Sequence, residues 1–438
     1  MSAPEALVAE LRREIRRLQA ESPAPSVSAA LFREKDLLWS EAIGLADVES
    51  EREASPDTQY AVASITKTFV AAAILVLRDE GKLDLDDPLG RHIEQADRQG
   101  VTLRRMLAHV AGIQREPPGD VWDTLAMPDR QELLASLPDA EQVLPPRRAW
   151  HYSNLAYALL GEVVRRCAKV SCEQFVQERL LEPLGLARTT WGPGKGAATG
   201  YFVQRFADIA TAEPVVEKHA FAPAGALWST TSDLARWGAF LADPDPDVLA
   251  PATVEEMHAL QVMADPETWT LGWGLGLMLH RRGERLLAGH DGGAVGHASQ
   301  LCYSRKEKVG LALLTNTENP LPTFDAAALA AKAAEALPAE PELWRAGAAL
   351  PEELEGVLGI WWSEGVDWWF AWRGGKLEAR RPGRPAPATF EREAPDRFRT
   401  VAGREQGELL RVVRDDNGVP VKLYWATYPF TREPSAFA

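Results

Sequence analysis

The sequence has few cysteines, no excess of basic charge and no long apolar run. Its three cysteines, Cys167, Cys172 and Cys302, are odd in number and scattered, which excludes a disulfide framework and a Cys-x-x-Cys zinc site. The 48 Lys and Arg residues against 63 Asp and Glu give a net charge of −15, which argues against a nucleic-acid or anionic-membrane partner. No run of about 18 apolar residues occurs, so no membrane-spanning helix is expected.

The first twenty residues carry charges throughout and lack the apolar stretch of a secretory leader. Their apolar residues recur at helical spacing instead, which predicts an N-terminal helix over residues 1–21. A cytoplasmic location is therefore expected. No glycine-rich phosphate loop and no metal-binding constellation is evident, so neither a cofactor nor a metal is predicted.

The order of the predicted elements indicates two domains. Between residues 22 and 338, strand patterns near both ends enclose a long helical region, which predicts an α/β domain whose sheet is assembled from both ends of the segment. Residues 339–350 have the composition of a linker. Residues 351–438 are rich in tryptophan and in turn signals such as Gly374-Gly375, which favours a small antiparallel β-barrel or sandwich.

The segment Ala63-Ser64-Ile65-Thr66-Lys67 places a serine three residues before a lysine at the start of an apolar helix. This spacing puts both side chains on one helix face. Serine needs a base within hydrogen-bond reach to act as a nucleophile, and lysine can be that base if burial lowers its pKa. Taken alone, the pattern also fits an ordinary helix start.

A second segment, Tyr152-Ser153-Asn154, precedes another helical pattern. Tyrosine can relay the serine proton to the leaving group, as phenolate or as phenol, and the asparagine amide can hold Lys67 and a substrate carbonyl. A helix cap beside a core tyrosine is the alternative interpretation.

A third segment, His290-Asp291-Gly292-Gly293, ends a predicted strand. Glycines there allow a substrate to lie along the strand edge, and the backbone N–H of Gly293 can join that of Ser64 in an oxyanion hole. His290 can supply a donor or a partial positive charge near the tyrosine. A glycine-rich turn with an exposed histidine is the alternative.

Together, in order and spacing, these segments resemble the serine β-lactamase and penicillin-binding-protein superfamily, particularly its class C-like branch. The resemblance covers about residues 22–338. It implies an antiparallel sheet with a helical subdomain. It also implies that Ser64 is the acylated nucleophile and that Lys67 and Tyr152 share the acid and base roles. Asn154 would orient the substrate, and His290 occupies the position of the third motif.

His290-Asp291-Gly292 replaces the Lys-Thr-Gly motif, so the lysine and hydroxyl that hold a β-lactam carboxylate are absent. The resulting His-x-Gly is similar to D-aminopeptidases, class VIII-type esterases and penicillin-binding-protein-type thioesterases. These thioesterases release and cyclise nonribosomal peptides in the bacterial cytoplasm. They also carry a C-terminal lipocalin-like domain, which residues 351–438 suggest in this chain.

The sequence thus predicts a serine acyl-transfer enzyme. Among the groups that the sequence resembles, it is most similar to the penicillin-binding-protein-type thioesterases. This resemblance implies an enzyme that offloads and macrocyclises a nonribosomal peptide, with a peptidyl substrate delivered by a carrier protein. A cytoplasmic carboxylesterase or a D-amino-acid peptide hydrolase is the main alternative. A β-lactamase or D,D-carboxypeptidase, and a non-catalytic peptide-binding module, are the others.

Overall fold

A computed structural model describes residues 3–96, 98–318, 325–341, 343–344, 346–347, 349–383 and 386–434. The chain divides into two compact units, Met1–Glu340 and Pro341–Ala438. Part of the predicted linker 339–350 and the first two residues of the predicted N-terminal helix lie outside the described residues.

The strands are numbered in chain order. They are β1 (Ser26–Arg33), β2 (Asp36–Asp47), β3 (Arg52–Glu53), β4 (Tyr60–Ala61), β5 (Tyr201–Val203), β6 (Ala210–Ala212), β7 (Trp228–Ser229), β8 (Val262–Met263), β9 (Leu271–Trp273), β10 (Met278–Arg282), β11 (Arg285–Ala294), β12 (His297–Ser304), β13 (Val309–Thr315), β14 (Gly359–Ser363), β15 (Val366–Arg373), β16 (Lys376–Arg380), β17 (Ala388–Ala394), β18 (Arg397–Ala402), β19 (Leu409–Arg414), β20 (Pro420–Trp425) and β21 (Tyr428–Phe430).

The α-helices are numbered in the same way. They are α1 (Ala3–Glu21), α2 (Thr66–Asp79), α3 (Leu89–His92), α4 (Leu103–Leu107), α5 (Val121–Thr124), α6 (Arg130–Ser136), α7 (Asn154–Ala168), α8 (Cys172–Val176), α9 (Ala222–Gly225), α10 (Thr231–Ala242), α11 (Pro251–Met257) and α12 (Ala326–Ala336). A 3-10 turn, Ala63–Ile65, immediately precedes α2.

The first unit contains a nine-stranded sheet in the order β3-β2-β1-β13-β12-β11-β10-β9-β8. Strand β1 pairs antiparallel with β13, with Val27 opposite Thr315, so the two ends of this unit meet at the centre of the sheet. Strands β1 and β13 are buried along almost their whole length, because both faces of the sheet are covered. The prediction of an antiparallel sheet assembled from both ends of the segment is confirmed.

Helices α1 and α12 cover one face of the sheet. The apolar side of α1 packs with alternate residues of β1 and with α12 in one hydrophobic cluster, whose members include Leu7, Leu11, Leu31 and Ala330. The intervening residues of β1, such as Phe32, belong to the larger cluster on the opposite face. The period-two alternation of β1 therefore divides its side chains between two cores.

Helix α2 lies within the larger cluster, and its residues from Thr66 to Leu77 are buried. The Phe69 ring stacks on Trp237 of α10 at 3.9 Å, and the Trp237 indole N–H donates to Thr68 Oγ1 at 2.8 Å. These contacts hold α2 against α10, and α2 also packs against α7, which positions the turn that precedes it.

The apolar pattern of residues 268–279 predicts one strand, and this prediction is wrong in its extent. The chain turns at Gly274–Leu277 between β9 and β10, and Gly276 (φ +77°) donates its N–H to Leu107 O at 3.1 Å. A Cβ on Gly276 would lie 2.4 Å from Ala71 Cβ, so glycine lets this turn approach α2. Strand β11, in contrast, extends beyond the predicted Ala288 to Ala294 and contains the third motif.

The second unit is one eight-stranded antiparallel sheet, β14 to β21 in sequence order. Trp362 and Thr431 exchange backbone hydrogen bonds of 2.7 and 2.9 Å, which bring the first and last strands into a nearly closed barrel. Trp361 and Trp425 are buried in the core, whereas Trp369 is half exposed. The predicted fold class, an α/β domain followed by a small lipocalin-like barrel, is confirmed.

Glu162 of α7 should contribute to the stability of the helical region. Its buried carboxylate accepts hydrogen bonds from Arg130, Arg165 and Arg166, and these lower its pKa despite its burial. Glu162→Ala leaves three guanidinium groups without this anion. We expect the free energy of unfolding to fall by about 1–3 kcal/mol, a range that allows for the partial exposure of the arginines.

Because the folded-state pKa of Glu162 is depressed, its stabilisation is present above the usual value of 4.5 and is lost as the pH falls below it. Urea denaturation at pH 7 and pH 3.5 measures both effects, with the exposed Glu267→Ala as control. Equal stability of Glu162→Ala and the wild type at pH 7 would contradict this assignment.

Candidate active site

Ser64 lies in the 3-10 turn at the start of α2. The residue before it, Ala63, has a φ of +45°, a left-handed conformation that costs a non-glycine residue about 1–3 kcal/mol. The turn is fixed from both sides, because Val62 N–H donates to Leu227 O and Ser299 Oγ donates to Val62 O. The strained backbone therefore presents the Ser64 hydroxyl at the N-terminal end of a buried helix.

Lys67 lies one helical turn beyond Ser64 and is completely buried. Its Nζ is 3.0 Å from Ser64 Oγ and donates to Ala224 O at 2.6 Å. Burial lowers the Lys67 pKa well below its ordinary value of 10.5; the charge of Glu116 opposes this effect, and the positive charges of Arg115 and Lys218 add to it. The lowered pKa favours the neutral amine, whose lone pair can accept the Ser64 proton.

Tyr152 completes the arrangement around the nucleophile. Its hydroxyl is hydrogen-bonded to Ser64, and its ring lies 4.9 Å from Lys67 Nζ. Burial raises the Tyr152 pKa, an effect that exceeds the lowering by the Ser64 hydrogen bond. Of the two states considered for this residue, the structure favours the phenol, which can relay a proton between Ser64 or Lys67 and a leaving group.

His109 packs against Tyr152, a contact that the sequence did not predict. Its ring stacks on the Tyr152 ring at 4.2 Å, its carbonyl accepts the His151 N–H at 2.7 Å, and its Nδ1 accepts the Ser153 N–H at 3.1 Å. The residue follows α4 with a φ of +56°. The sequence offers one indication of its importance: His109 lies in residues 107–112, a stretch that resembles the serine β-lactamase and penicillin-binding-protein superfamily.

Asn154 is the first residue of α7, and Ser153 caps this helix through the Ala156 N–H. Its side-chain amide donates to Glu116 Oε1 at 2.6 Å, while its backbone N–H donates to Arg115 O. The expected hydrogen bond from Asn154 to Lys67 is not formed in the part of the chain that the structure describes, since the Lys67 amine bonds to Ala224 instead. Asn154 therefore places a carboxylate, Glu116, in the wall of the cleft.

The third motif lies within β11. The His290 ring is buried at 6.3 Å from the Tyr152 ring, and its Nδ1–H donates to Asp291 O. Burial lowers the His290 pKa to about 3, which favours the neutral imidazole. The roles predicted for this residue, a donor or a partial positive charge, stay predictions. Its Nε2 has no hydrogen-bond partner in the described part of the chain, and this nitrogen can accept a hydrogen bond.

Gly292 and Gly293 lie on the open part of β11. Strand β10 pairs with β11 only as far as Gly289, so residues 290–294 present a free edge to the cleft. A Cβ on Gly292 would lie 2.3 Å from Val62 O, which means that glycine at this position admits the turn that carries Ser64. The structure thus gives Gly292 a packing role and places Gly293 in the lining of the same cleft as Ser64, where its oxyanion role stays a prediction.

Asp291, the residue that replaces threonine in the third motif, contacts Gln300. Its burial raises its pKa to about 6, and the charge of Asp325 adds to this effect. No lysine or hydroxyl therefore stands at positions 290 and 291 to hold a substrate carboxylate.

These residues line one cleft of about 730 Å3. Its walls also include aromatic and charged side chains that no sequence motif marks, namely Trp122, Trp150, Trp273, Phe221, Arg115, Glu116 and Lys218. Within the described residues no cluster of His, Cys, Asp and Glu can hold a metal, and no helix is long and apolar enough to cross a membrane. The arrangement can carry out acyl transfer through a serine ester.

Ser64→Ala should abolish covalent labelling by a fluorophosphonate probe, because the attacking oxygen is lost. Labelling is followed by intact-protein mass, with the exposed Ser50→Ala as control. Retention of a stoichiometric adduct in Ser64→Ala would show that another residue is the nucleophile.

The rate of labelling should depend on the protonation of Lys67. Because its pKa is depressed, the reactive neutral amine is present at pH 7, and the rate falls only as acid protonates it. Lys67→Arg keeps a permanent charge and should lower the rate by about 10²–10⁴-fold and remove this acid limb. The measurement is the second-order rate constant from pH 5 to 10. A rate that rises only near pH 10 would contradict the neutral base.

Residues 11–336 match the Beta-lactamase family, and residues 350–432 match a domain of unknown function, DUF7586. Protein flp of Staphylococcus aureus strain MW2 is 26% identical over 312 residues, which are 67% of this chain and 59% of that protein. The chain therefore spans about three fifths of the length of this curated relative.

Two solved structures are also similar. The D-stereospecific amidohydrolase from Streptomyces sp. is 26% identical, with a TM-score of 0.59 over 69% of this chain and 93% of that one. SurE with D-Leu is 25% identical, with a TM-score of 0.59 over 98% and 99% of the two chains. Because the family match covers residues 11–336 and the expected sheet and cleft are in place, the chain belongs to the Beta-lactamase family.

Proposed function

We propose that the protein transfers a peptidyl group ending in a D-residue from a thioester to an amine of the same peptide, which produces a cyclic product. The observation that carries this proposal is the buried Lys67 amine 3.0 Å from Ser64 Oγ, its pKa lowered by burial, in a cleft whose third motif supplies a histidine in place of lysine. Such a site can acylate Ser64 without binding a substrate carboxylate.

Acylation begins when Ser64 Oγ attacks the thioester carbonyl and its proton moves to Lys67 Nζ. In this mechanism the backbone N–H groups of Ser64 and Gly293 bind the oxyanion that forms. Collapse of this intermediate breaks the C–S bond, and the thiolate takes a proton from the Tyr152 hydroxyl, which Lys67 restores. The products of this half-reaction are the free thiol and an ester on Ser64.

In deacylation the protons move in the reverse direction. The amine attacks the ester carbonyl, and its proton passes through Tyr152 to Lys67. Lys67 then returns a proton to the departing Ser64 oxygen. Aromatic side chains, Trp122, Trp150 and Trp273, line the cleft and reduce the room for water near the ester. This supports an amine acceptor over hydrolysis.

The D-configuration is supported by the similarity to a D-stereospecific amidohydrolase and to a structure with D-Leu. Glu116, held by Asn154, offers a carboxylate to an ammonium or amide N–H of the acyl group. We propose further that the thioester arrives on a carrier protein and that the enzyme works in the cytoplasm.

A second candidate is hydrolysis of D-amino-acid amides, D-peptides or carboxylic esters, with water as the acceptor. The similarity to the Streptomyces amidohydrolase favours it. It uses the same acyl-enzyme and differs only in the second nucleophile.

The test uses N-acetylcysteamine thioesters of one linear octapeptide that ends in D-Leu or L-Leu. We expect cyclic product from the D-substrate, with a kcat/KM at least about tenfold above that of the L-substrate, a difference of about 1.4 kcal/mol in transition-state binding. Mass spectrometry separates cyclic from linear product, and Ser64→Ala corrects for spontaneous reaction.

Linear product alone would replace cyclisation by hydrolysis. A preference for the L-substrate would remove the stereochemical proposal. Rapid turnover of a chromogenic cephalosporin, with none of the thioesters consumed, would favour a β-lactamase instead.

A further inference from the structure

A second cavity of about 540 Å3 adjoins the active-site cleft in the same unit. The two share three lining residues, Lys218, Gly225 and Ala294. Gly225 has no side chain and Ala294 has only a methyl group, so neither residue carries a bulky side chain that would separate the two cavities. Lys218 Nζ lies 5.0 Å over the Trp122 ring, which holds this longer side chain toward the cleft.

The direction of a bound acyl chain follows from the catalytic groups. The leaving group must depart beside Tyr152, which protonates it, and this residue lies near His290 at the beginning of the free edge of β11. The acyl substituent must therefore extend the other way along that edge, past Gly293 toward Ala294. Ala294 lines both cavities, so a chain of two or more residues reaches the second cavity.

The second cavity has the walls of a peptide-binding site. Its apolar surface comes from Trp191, Trp228, Val215 and Val216. The Trp191 indole Nε1 is buried and has no hydrogen-bond partner among the described residues. Because this nitrogen has almost no accessible surface, Trp191 contributes its apolar ring rather than its N–H to the wall of the cavity.

Carboxylates at the same cavity indicate which kind of chain would bind. Glu173, Glu213 and Glu217 line it, against Lys218 and His219. This acidic balance disfavours a fatty-acid carboxylate and fits a neutral peptide or one with a free amino terminus. The combination of apolar walls and acidic residues favours a peptide segment.

We propose that this cavity binds the residues that precede the acylating D-residue, with an apolar side chain against Trp191 and Val215. The cavity makes the enzyme selective for peptidyl over aminoacyl substrates. This inference rests on the proposed function, since it defines the substrate of the same Ser64 site.

The test is a series of N-acetylcysteamine thioesters, all ending in D-Leu, with one, two, three and four residues. Burial of one upstream Leu side chain should raise kcat/KM by about tenfold or more between the aminoacyl and tripeptidyl substrates. Trp191→Phe, which replaces the indole by a smaller aromatic ring and so removes part of the apolar wall, should lower kcat/KM of the tripeptidyl substrate by about threefold to tenfold. Val215→Trp, which fills the cavity from a half-exposed position, should remove most of the dependence on length.

Two controls separate this effect from misfolding. The aminoacyl substrate does not reach the second cavity, so its kcat/KM should be unchanged in both variants. Phe206→Trp alters an exposed apolar residue outside the cavity lining and should leave the whole series unchanged.

Equal kcat/KM for all lengths would overturn the inference and leave the acyl-transfer proposal standing. A length dependence that persists in Trp191→Phe and Val215→Trp would place the upstream residues elsewhere, which also overturns it. If no thioester is consumed, the proposed function fails, and the corresponding free peptides are titrated calorimetrically into Ser64→Ala. A Kd that does not improve with length there would overturn the cavity assignment independently.

Discussion

The burial of the Lys67 amine beneath Ser64 is the constraint on which the rest of the active site depends. Its hydrogen-bond partners in the described structure are the hydroxyl of Ser64 and the carbonyl of Ala224, and neither carries a charge that would stabilise an ammonium group. Burial therefore lowers the pKa of the amine and favours its neutral, basic form, although the charge of Glu116 opposes this effect. The packing of α2 against α7 and α10 makes this possible, because it buries the first turn of the helix.

The surroundings of Lys67 are consistent with a proton relay that creates little net charge. His109 and His290 are both buried, and the proximity of Lys67 contributes to the lowering of the pKa of each. Tyr152 lies between these imidazoles and remains a phenol. A lysine at position 290 would add a permanent cation to this group. Its replacement by a neutral histidine accounts for a cleft suited to an uncharged acyl chain rather than to the carboxylate of a β-lactam.

The sequence was sufficient for features that depend on local spacing. The helix predicted from Thr66 to Asp79 matches α2, and Gly374-Gly375 forms the turn between β15 and β16, since both residues have positive φ angles. The Ser64-x-x-Lys67 spacing predicted the one-turn geometry of the nucleophile and its neighbouring amine. The glycines of Gly274–Leu277, however, interrupt an apolar pattern that reads as one strand, because the turn there packs on α2.

Features that depend on contacts between distant segments were not predictable in this way. The stacking of His109 on Tyr152 joins two loops, and no periodic pattern marks it. The same is true of the pairing of Asn154 with Glu116, which replaces the expected bond to Lys67. Lys218 and Trp191 lie on connecting segments whose sequence indicates only loops, and their roles emerge once the cavities are known.

The protonation state of Lys67 can be measured directly. Protein labelled with ¹³C and ¹⁵N at lysine is followed by NMR from pH 5 to 11, and the Lys67 side-chain signal is assigned by its absence from Lys67→Arg. We expect a titration midpoint far below the ordinary 10.5, with the amine neutral at pH 7. A midpoint near 10.5 would mean that Lys67 is an ammonium ion in the resting enzyme, and it would contradict the neutral base on which the mechanism depends.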